Sequence, residues 1–399
     1  MALPPDFTLL QVVPELETGG AEQTTIDVAR AVIDAGGRAL VATRGGRMTA
    51  RLETDGARLA QMPVQSKNPL VMLGNASRLV DLIRREKVSL VHARSRAPAF
   101  SALWAAQATK TPFVATYHGV YKARSSVKRW YNAVMTRGDL IIANSDYTRD
   151  HVLAEHHVDP ARIVTIPRGV DLDRFNPSYV TPDRLERLHR DWGTSEGDRR
   201  TRFLLAGRLT RIKGHLTIIE AAARMKAEGR SDFLVIFAGD DQGRTEYGEE
   251  LARAIAEAGL GDQVRVVGHC SDMPAAYLLA DVAILPTIVP ESFGRAAVEP
   301  QAMGRPVIAS NHGGTVETVA DGTSGWLAPP GDAQAWAGAM LRAIDLGPGR
   351  RLEMGQAGMN RTRQLYRVDA MCAATLAAYE QVLEARRLRK AGLMPKERA

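Results

Sequence analysis

The sequence predicts an α/β protein made of two successive parallel-sheet modules, and three observations lead to this fold class. The chain has 399 residues, enough for two domains of ordinary size. Short apolar segments typical of strands alternate with helical segments in both halves, the pattern of parallel sheets covered by helices. Between Pro167 and Asp198 the alternation stops, and this stretch contains three prolines.

The first module has six predicted strands, at residues 7–13, 39–42, 90–93, 113–116, 140–143 and 163–166. The clearest helices between them span residues 22–35, 76–86 and 98–108. The second module has predicted strands at residues 203–206, 233–238, 264–267, 282–285 and 307–309. Helical segments then continue to the end, the last from Asp369 to about Lys390. Ligands of open parallel sheets bind outside the carboxyl ends of the strands, so functional residues are expected directly after them.

Composition excludes several protein classes. Hydrophobic residues make up 45% and charged residues 24%, the balance of a globular protein and not of a disordered chain. No apolar run is long enough for a transmembrane helix. Residues 1–8 contain an acidic residue and no basic one, unlike a signal peptide. The two cysteines have neither disulfide-scaffold nor zinc spacing, so we expect a cytoplasmic protein without a zinc site.

The net charge of +7 has a local origin. Between Lys87 and Gly138 there are nine lysines and arginines and no acidic residue. Within this stretch we predict a basic helix from Ala123 to Arg137. Its apolar residues are expected on one side: Val127, Trp130, Tyr131 and Val134. Such a helix suits an anionic bilayer surface, although packing of this side against the sheet stays open as an alternative. No nucleic-acid motif accompanies the charge, and we expect no nucleic-acid partner.

In the first module, two motifs follow strands. Gly19 and Gly20 precede a helix, where backbone amides can approach an anion. A tight strand-to-helix turn without a ligand would need the same glycines. His118 follows the strand at 113–116, a position from which an imidazole can meet a substrate. A purely structural histidine is the alternative.

In the second module, basic and acidic residues follow strands. Arg208 and Lys213 lie in the loop after the strand at 203–206 and are suited to binding a diphosphate. Glu291 and Glu299 flank an apolar segment that contains Gly294. Two carboxylates at this spacing can contact different parts of one elongated ligand, and the amides near Gly294 can face a phosphate.

Together these motifs resemble the retaining glycosyltransferases of the GT4 family over nearly the whole chain, and the Glu-x7-Glu element is the most specific of them. The resemblance implies the GT-B fold, with two facing Rossmann-like domains and a C-terminal helix that crosses back to the first. It places an acceptor-binding domain at 1–180, joined by the helix at about 375–399, and a nucleotide-sugar-binding domain at 181–374.

The resemblance also implies roles for the candidate residues. Arg208 and Lys213 would neutralise the donor diphosphate, and Glu291 would contact the donor sugar. The remaining donor-side contacts would come from Ser292, Phe293 and Gly294, from Glu299 at the ribose, and from Gly19 and Gly20 beside the diphosphate. His118 would lie beside the sugar. The catalytic set is therefore His118, Glu291, Arg208 and Lys213. The family pattern usually has Asn where this chain has Arg168. The Asp-x-Asp at Asp171 is assigned no metal, because the resemblance implies an enzyme that needs neither a metal nor a cofactor.

The expected activity is transfer of a hexose from a nucleotide diphosphate-sugar to a cell-envelope glycan. Residues 91–98 and 272–277 extend the resemblance to bacterial lipopolysaccharide core sugar transferases. This implies lipopolysaccharide core, either lipid-linked or as an oligosaccharide, as the acceptor. GDP-mannose is the first choice of donor, with UDP- and ADP-sugars as alternatives. The protein would act at the inner face of the cell membrane. Two alternatives stay open: a nucleotide-sugar epimerase of GT-B fold and an inactive GT-B binding module.

Overall fold

A computed structural model describes residues 3–17, 19–121, 125–243 and 245–393. Its helices and strands group into two units, one formed by 1–169 with 368–399 and the other by 170–367. The predicted domain limits lie somewhat later in the chain than these unit limits. In the described residues, no helix is long and apolar enough to span a bilayer.

The first unit is built on a seven-stranded parallel sheet. Its strands are β1 (Thr8–Val12), β2 (Arg38–Thr43), β3 (Arg58–Gln61), β4 (Leu90–Ala93), β5 (Phe113–Tyr117), β6 (Leu140–Ala143) and β7 (Ile163–Thr165). Their order across the sheet is β3-β2-β1-β4-β5-β6-β7. The helices are α1 (Gly20–Asp34), α2 (Thr49–Thr54), α3 (Pro69–Glu86), α4 (Arg96–Thr109), α5 (Ser126–Asn132) and α6 (Asp146–Glu155). All residues of β1, β4, β5 and β6 are buried because helices cover both faces.

The second unit repeats this plan with six parallel strands. These are β8 (Thr201–Ala206), β9 (Phe233–Ala238), β10 (Val264–Gly268), β11 (Val282–Leu285), β12 (Val307–Ser310) and β13 (Gly325–Ala328), in the order β10-β9-β8-β11-β12-β13. Its helices are α7 (Pro182–Asp191), α8 (His215–Ala227), α9 (Thr245–Glu257), α10 (Met273–Leu279), α11 (Arg295–Ala302), α12 (Thr315–Thr318), α13 (Ala333–Asp345) and α14 (Gly347–Leu365). In each sheet the strand order reverses beside the first strand, next to β4 or β11, where such folds bind ligands.

The last helix, α15 (Val368–Lys390), packs on the first unit. The Tyr379 hydroxyl lies 2.6 Å from Nδ1 of His92, a buried residue of β4, and the Tyr379 ring stacks on Phe7 at 6.3 Å. Arg386 Nε donates to Asp139 Oδ1 at 3.0 Å. The prediction of two Rossmann-like domains, with the final helix returning to the first, is confirmed.

Two strands and one helix were missed by the sequence analysis. β3 and β13 are both edge strands; β3 has no apolar run, and β13 has one of only three residues, Trp326–Ala328. α7 begins at Pro182, inside the stretch treated as a break between modules. The prolines there misled the prediction, since proline is well tolerated in the first turn of a helix.

Candidate active site

The loops after β8, β9 and β11 approach one another backbone to backbone at the reversal point of the second sheet. A Cβ added to Gly239 would lie 1.8 Å from the carbonyl oxygen of Gly207. Gly214 has φ +77°, and a Cβ there would lie 1.8 Å from the carbonyl oxygen of Pro286. Side chains at these two positions would force the loops apart. The glycines therefore let the predicted basic loop lie directly against the loop that carries the acidic segment.

Lys213 and Glu291 meet in this region. Nζ of Lys213 lies 2.5 Å from Oε1 of Glu291, and 16% and 28% of the two side chains are exposed. A lysine ammonium has three N–H donors, so this ion pair leaves Lys213 the capacity to donate to an anion as well. Arg208 is exposed, and its Nη1 lies 3.5 Å from Oε1 of Gln242. Both predicted cations thus stand on one loop with donors available for a phosphate.

The helix α11 starts next to this ion pair. Gly294, at φ +91°, is its N-cap and supplies no side-chain cap to the first-turn amides. The neighbouring Phe293 is buried and packs edge-on against Tyr366 at 5.4 Å. Its side chain belongs to the core, so any ligand contact at Phe293 would come from the backbone. Amides in this turn carry the partial positive charge of a helix N-terminus.

Glycines after β12 hold the acidic segment from the other side. Gly314 N donates to the Glu291 carbonyl oxygen at 2.8 Å. A Cβ on Gly313, at φ +66°, would lie 2.5 Å from the same oxygen. His312 Nε2 lies 2.9 Å from the carbonyl oxygen of Thr287. The backbone around Glu291 is therefore fixed by two loops, and His312 is one of the residues the sequence analysis did not assign to the site.

Glu299 lies on α11 with only 9% of the residue exposed. Its Oε2 accepts from the Tyr277 hydroxyl at 3.3 Å, and its Oε1 accepts from Arg295 Nη2. Burial, together with the nearby Glu299 carboxylate, raises the pKa of Tyr277 well above its ordinary value, so the phenol stays a donor. Tyr277 and Arg295 thus orient Glu299. The sequence analysis did not assign either residue to the site, and the four-residue spacing of Arg295 and Glu299 on a helix was the available signal.

A cavity lies between α7 and the segment that follows β10. Its lining includes Arg184, Trp192, His269, Cys270 and Asp272. Arg184 makes two charge-assisted hydrogen bonds to the Asp272 carboxylate, at 2.8 and 2.6 Å. Residues 267 and 269–272, which follow β10 or end it, therefore line one side of this cavity.

In the first unit, Gly19 is the N-cap of α1 and Gly20 its first residue. A Cβ on Gly19 would lie 2.1 Å from Oε2 of Glu22. The Glu22 carboxylate therefore folds back over the helix start, where negative charge is stabilised. The expected proximity of these glycines to a diphosphate stays a prediction.

His118 directly follows β5, and its Nδ1 lies 2.7 Å from Nη2 of Arg168. Burial first, and then the charges of Arg168, Arg94 and His92, lower the pKa of His118 well below its ordinary value. The Arg94 side chain is buried and makes hydrogen bonds of 2.9 and 2.6 Å to Oε1 of Gln11. His118 is thus a neutral imidazole at the carboxyl end of the first sheet.

The predicted basic helix from Ala123 to Arg137 is only partly observed. Lys122, Ala123 and Arg124 lie outside the described residues. α5 spans Ser126–Asn132, and a 3-10 turn, Ala133–Thr136, follows it.

The residues of the predicted apolar side differ in exposure. Val127 is 74% exposed and Trp130 55%. Val134 is fully buried in the core, because the 3-10 turn carries it there, so for this residue the alternative of packing against the sheet is the one observed. Arg137 lies over the Trp130 ring at 5.4 Å.

The Asp-x-Asp at Asp171 serves a local turn. Asp171 Oδ1 accepts from the backbone amides of Asp173 and Arg174, both at 3.0 Å. Among the residues that the structure describes, no group of three or more His, Cys, Asp and Glu side chains is arranged to hold a metal ion.

Two family models match this chain. Residues 18–174 match the family model described as Glycosyltransferase Family 4, and residues 189–361 match the model Glycosyl transferases group 1. A curated relative, D-inositol 3-phosphate glycosyltransferase of Geodermatophilus obscurus, is 33% identical over 262 residues, which is 63% of this chain. The matched region spans only 55% of that relative's length.

Solved structures resemble nearly the whole chain. A glycosyltransferase from Rickettsia africae is 32% identical with TM-score 0.87, and the match covers 95% of this chain and 99% of that one. Anabaena HepE in complex with UDP and glucose matches at 23% identity and TM-score 0.81, over 93% and 100% of the chains. WaaG, a glycosyltransferase involved in lipopolysaccharide biosynthesis, matches at 18% identity and TM-score 0.71, over 93% and 99%. With its two matched family models and its near-complete match to the Rickettsia enzyme, the chain belongs to the GT4 family of glycosyltransferases, whose fold is GT-B.

Proposed function

We propose that the protein transfers a hexose, with retention of configuration, from a nucleotide diphosphate-sugar to an acceptor hydroxyl. One observation carries this proposal: Lys213, Glu291 and the uncapped start of α11 come together at the reversal point of the second sheet. Cationic donors and helix-end amides suit the phosphates of a donor, and an adjacent carboxylate suits sugar hydroxyls.

The chemistry requires stabilisation of charge more than a nucleophile. As the bond from the anomeric carbon to the diphosphate breaks, negative charge grows on the departing oxygen, where Arg208, Lys213 and the α11 amides would stabilise it. The acceptor oxygen bonds to the anomeric carbon on the same face, and its proton passes to the departing diphosphate oxygen. Glu291 already forms an ion pair with Lys213, which favours a role in orienting the sugar over covalent attack.

A substitution pair tests this assignment. Glu291→Gln removes the charge while keeping the shape, and we expect a loss of transfer of about a hundredfold. Glu317→Gln, on the short helix α12, is the matched control and should transfer normally. A near-normal rate for Glu291→Gln would remove this residue from the site.

A thermal-shift screen with GDP, UDP, ADP and their sugar conjugates tests which base the donor carries. GDP-mannose is our first choice, and the UDP bound by HepE supports testing UDP-sugars beside it. A ligand at a hundred times its dissociation constant stabilises the folded protein by about 2.7 kcal/mol, enough for a clear rise in melting temperature. If none of the three nucleotides shifts the transition, the donor proposal is contradicted.

For the acceptor we propose a lipid-linked or oligosaccharide cell-envelope glycan, with lipopolysaccharide core as first choice, reached from the inner face of the membrane. The exposed Val127 and Trp130 next to basic residues support this choice, since such a surface suits an anionic bilayer. Leu70 and Leu73 of α3 are also exposed, at 78% and 56%. The double variant Val127→Ser with Trp130→Ala should lose flotation with anionic vesicles. Leu352→Ala, which changes an exposed leucine of α14, is the control and should float normally.

A second acceptor class is favoured by the names of the curated relatives, which are D-inositol 3-phosphate glycosyltransferases. A small phosphorylated polyol would need no membrane. Product analysis with a lipopolysaccharide core acceptor in one reaction and inositol phosphate in the other separates the two classes. The same assay tests the remaining alternatives, because an epimerase would release nucleotide without an acceptor and an inactive module would form no product.

A further inference from the structure

Arg168 is a buried cation at the carboxyl end of the first sheet, just after β7. It is 9% exposed, and its Nη2 lies 2.7 Å from Nδ1 of His118. The two residues are 50 positions apart in the chain and belong to the same unit. The contact therefore links the loop after β7 to the loop after β5.

The chemistry of the two groups fixes the direction of this hydrogen bond. A guanidinium carries only donors and stays protonated in proteins. Nδ1 of His118 must therefore accept, with its lone pair toward Arg168. A neutral imidazole that accepts at Nδ1 carries its proton on Nε2. An asparagine amide could either donate or accept and would not impose one tautomer.

The charged groups around His118 also favour the neutral imidazole. Arg168 follows β7, while His92 and Arg94 come from β4 and the residue after it. Nε2 of His92 lies 2.7 Å from the Thr116 hydroxyl, and Arg94 is bonded to Gln11. These groups are held in place, and together with burial they keep the pKa of His118 well below its ordinary value.

We propose that Arg168 is a positioning residue that holds His118 with its proton on Nε2, so that the imidazole donates to a hydroxyl oxygen of the donor sugar. This rests on the proposed function and on the expected place of His118 beside the donor sugar. Arg168 itself contacts no substrate. Its effect on the reaction is exerted through the tautomer and the charge of His118.

Nitrogen-15 NMR of protein labelled in the histidine rings tests the tautomer directly. His118→Gln identifies the His118 signals. In the wild-type protein Nδ1 should have the shift of an unprotonated nitrogen and Nε2 that of a protonated one. In Arg168→Met both tautomers should be populated and the His118 titration should move to higher pH, whereas Arg168→Lys, also a donor only, should keep the wild-type tautomer. A wild-type His118 signal with the proton on Nδ1 overturns the proposal whether or not the Arg168 variants fold.

The pH profile of transfer gives a second readout. In Arg168→Met burial still lowers the pKa of His118, so kcat/KM should fall by no more than about threefold between pH 8 and pH 6, because a cationic imidazole disfavours the positive charge that develops at the anomeric carbon, while the wild-type profile stays flat. An unchanged tautomer and profile in Arg168→Met overturn the proposal by themselves. If the tautomer depends on Arg168 but His118→Gln transfers at the wild-type rate, the failure lies in the proposed role of His118, and the positioning role falls with it.

Discussion

We expect His215 to make the stability of the second unit depend on pH. It is the first residue of α8, directly after the Lys213–Gly214 loop, and it is fully buried. Its ring packs edge-on against Phe237 at 5.0 Å and against Tyr247 at 5.9 Å. Burial lowers the pKa of His215 from 6.5 to about 4, and the charge of Lys213 adds to the lowering. Phe in place of His215 would remove the titrating group while keeping a ring in the same apolar space.

The sign and size of the effect follow from linkage. Between pH 6.5 and pH 4 the unfolded chain binds a proton at His215 and the folded chain does not, so stability falls as the pH falls. A lowering from 6.5 to about 4 corresponds to a loss of about 3 kcal/mol by pH 4. Relative to the wild-type protein, His215→Phe should therefore gain about 3 kcal/mol of unfolding free energy between pH 7 and pH 4.

Urea unfolding followed by tryptophan fluorescence measures this difference. Replacing Trp104 and Trp130 by Phe leaves only the tryptophans of the second unit as reporters. His189 also has a lowered pKa, because of burial, but it is present in both proteins and its effect cancels in the difference. Parallel stability curves for the wild-type protein and His215→Phe from pH 7 to pH 4 would refute the reasoning.

Three further predictions concern the site. Lys213→Met should lower kcat/KM for the nucleotide-sugar by about a hundredfold, and an unchanged value would exclude a role in binding the diphosphate. Gly239→Ala places a Cβ 1.8 Å from a carbonyl oxygen, and we expect the unfolding free energy, measured by urea titration, to fall by about 2 kcal/mol. The control Gly261→Ala places its Cβ where nothing lies within 4 Å and should change the unfolding free energy by less than about 0.5 kcal/mol. Tyr277→Phe removes the hydroxyl 3.3 Å from Glu299 and should weaken nucleotide binding about fivefold in isothermal titration; unaltered affinity would argue against Glu299 as a ribose ligand.

The interior strands were predictable because burial on both faces requires continuous apolar runs. β4, β6, β9 and β11 have the predicted bounds. Edge strands carry a weaker signal, since only one neighbour and less core constrain them. β3, Arg-Leu-Ala-Gln, has only intermediate or exposed residues. Its pairing with β2 is a property of the folded sheet and is not visible in the local sequence.

The candidate site was predictable as a set of positions but not as a set of contacts. Strand ends indicated where Lys213 and Glu291 lie in the chain, but their ion pair joins residues 78 positions apart. The contact between Arg168 and His118 is of the same kind. The sequence departed from the family pattern at Arg168, and that departure alone did not reveal which group the new guanidinium would face.

The acid-free stretch between Lys87 and Gly138 is not one surface. Arg94 is buried beside Gln11, and Arg96 donates to Asn132 while its guanidinium lies over the Tyr121 ring at 3.8 Å. Local charge excess in a sequence therefore combines cations that organise the interior with cations that face solvent, and only the second kind can attract a membrane.

In the described part of this stretch, the exposed cations beside Trp130 are Lys128, Arg129 and Arg137. At about 1 kcal/mol for each basic residue near an anionic surface, these three supply only weak electrostatic attraction. The exposed indole must therefore contribute, and flotation should depend on Trp130 more than on any single lysine or arginine.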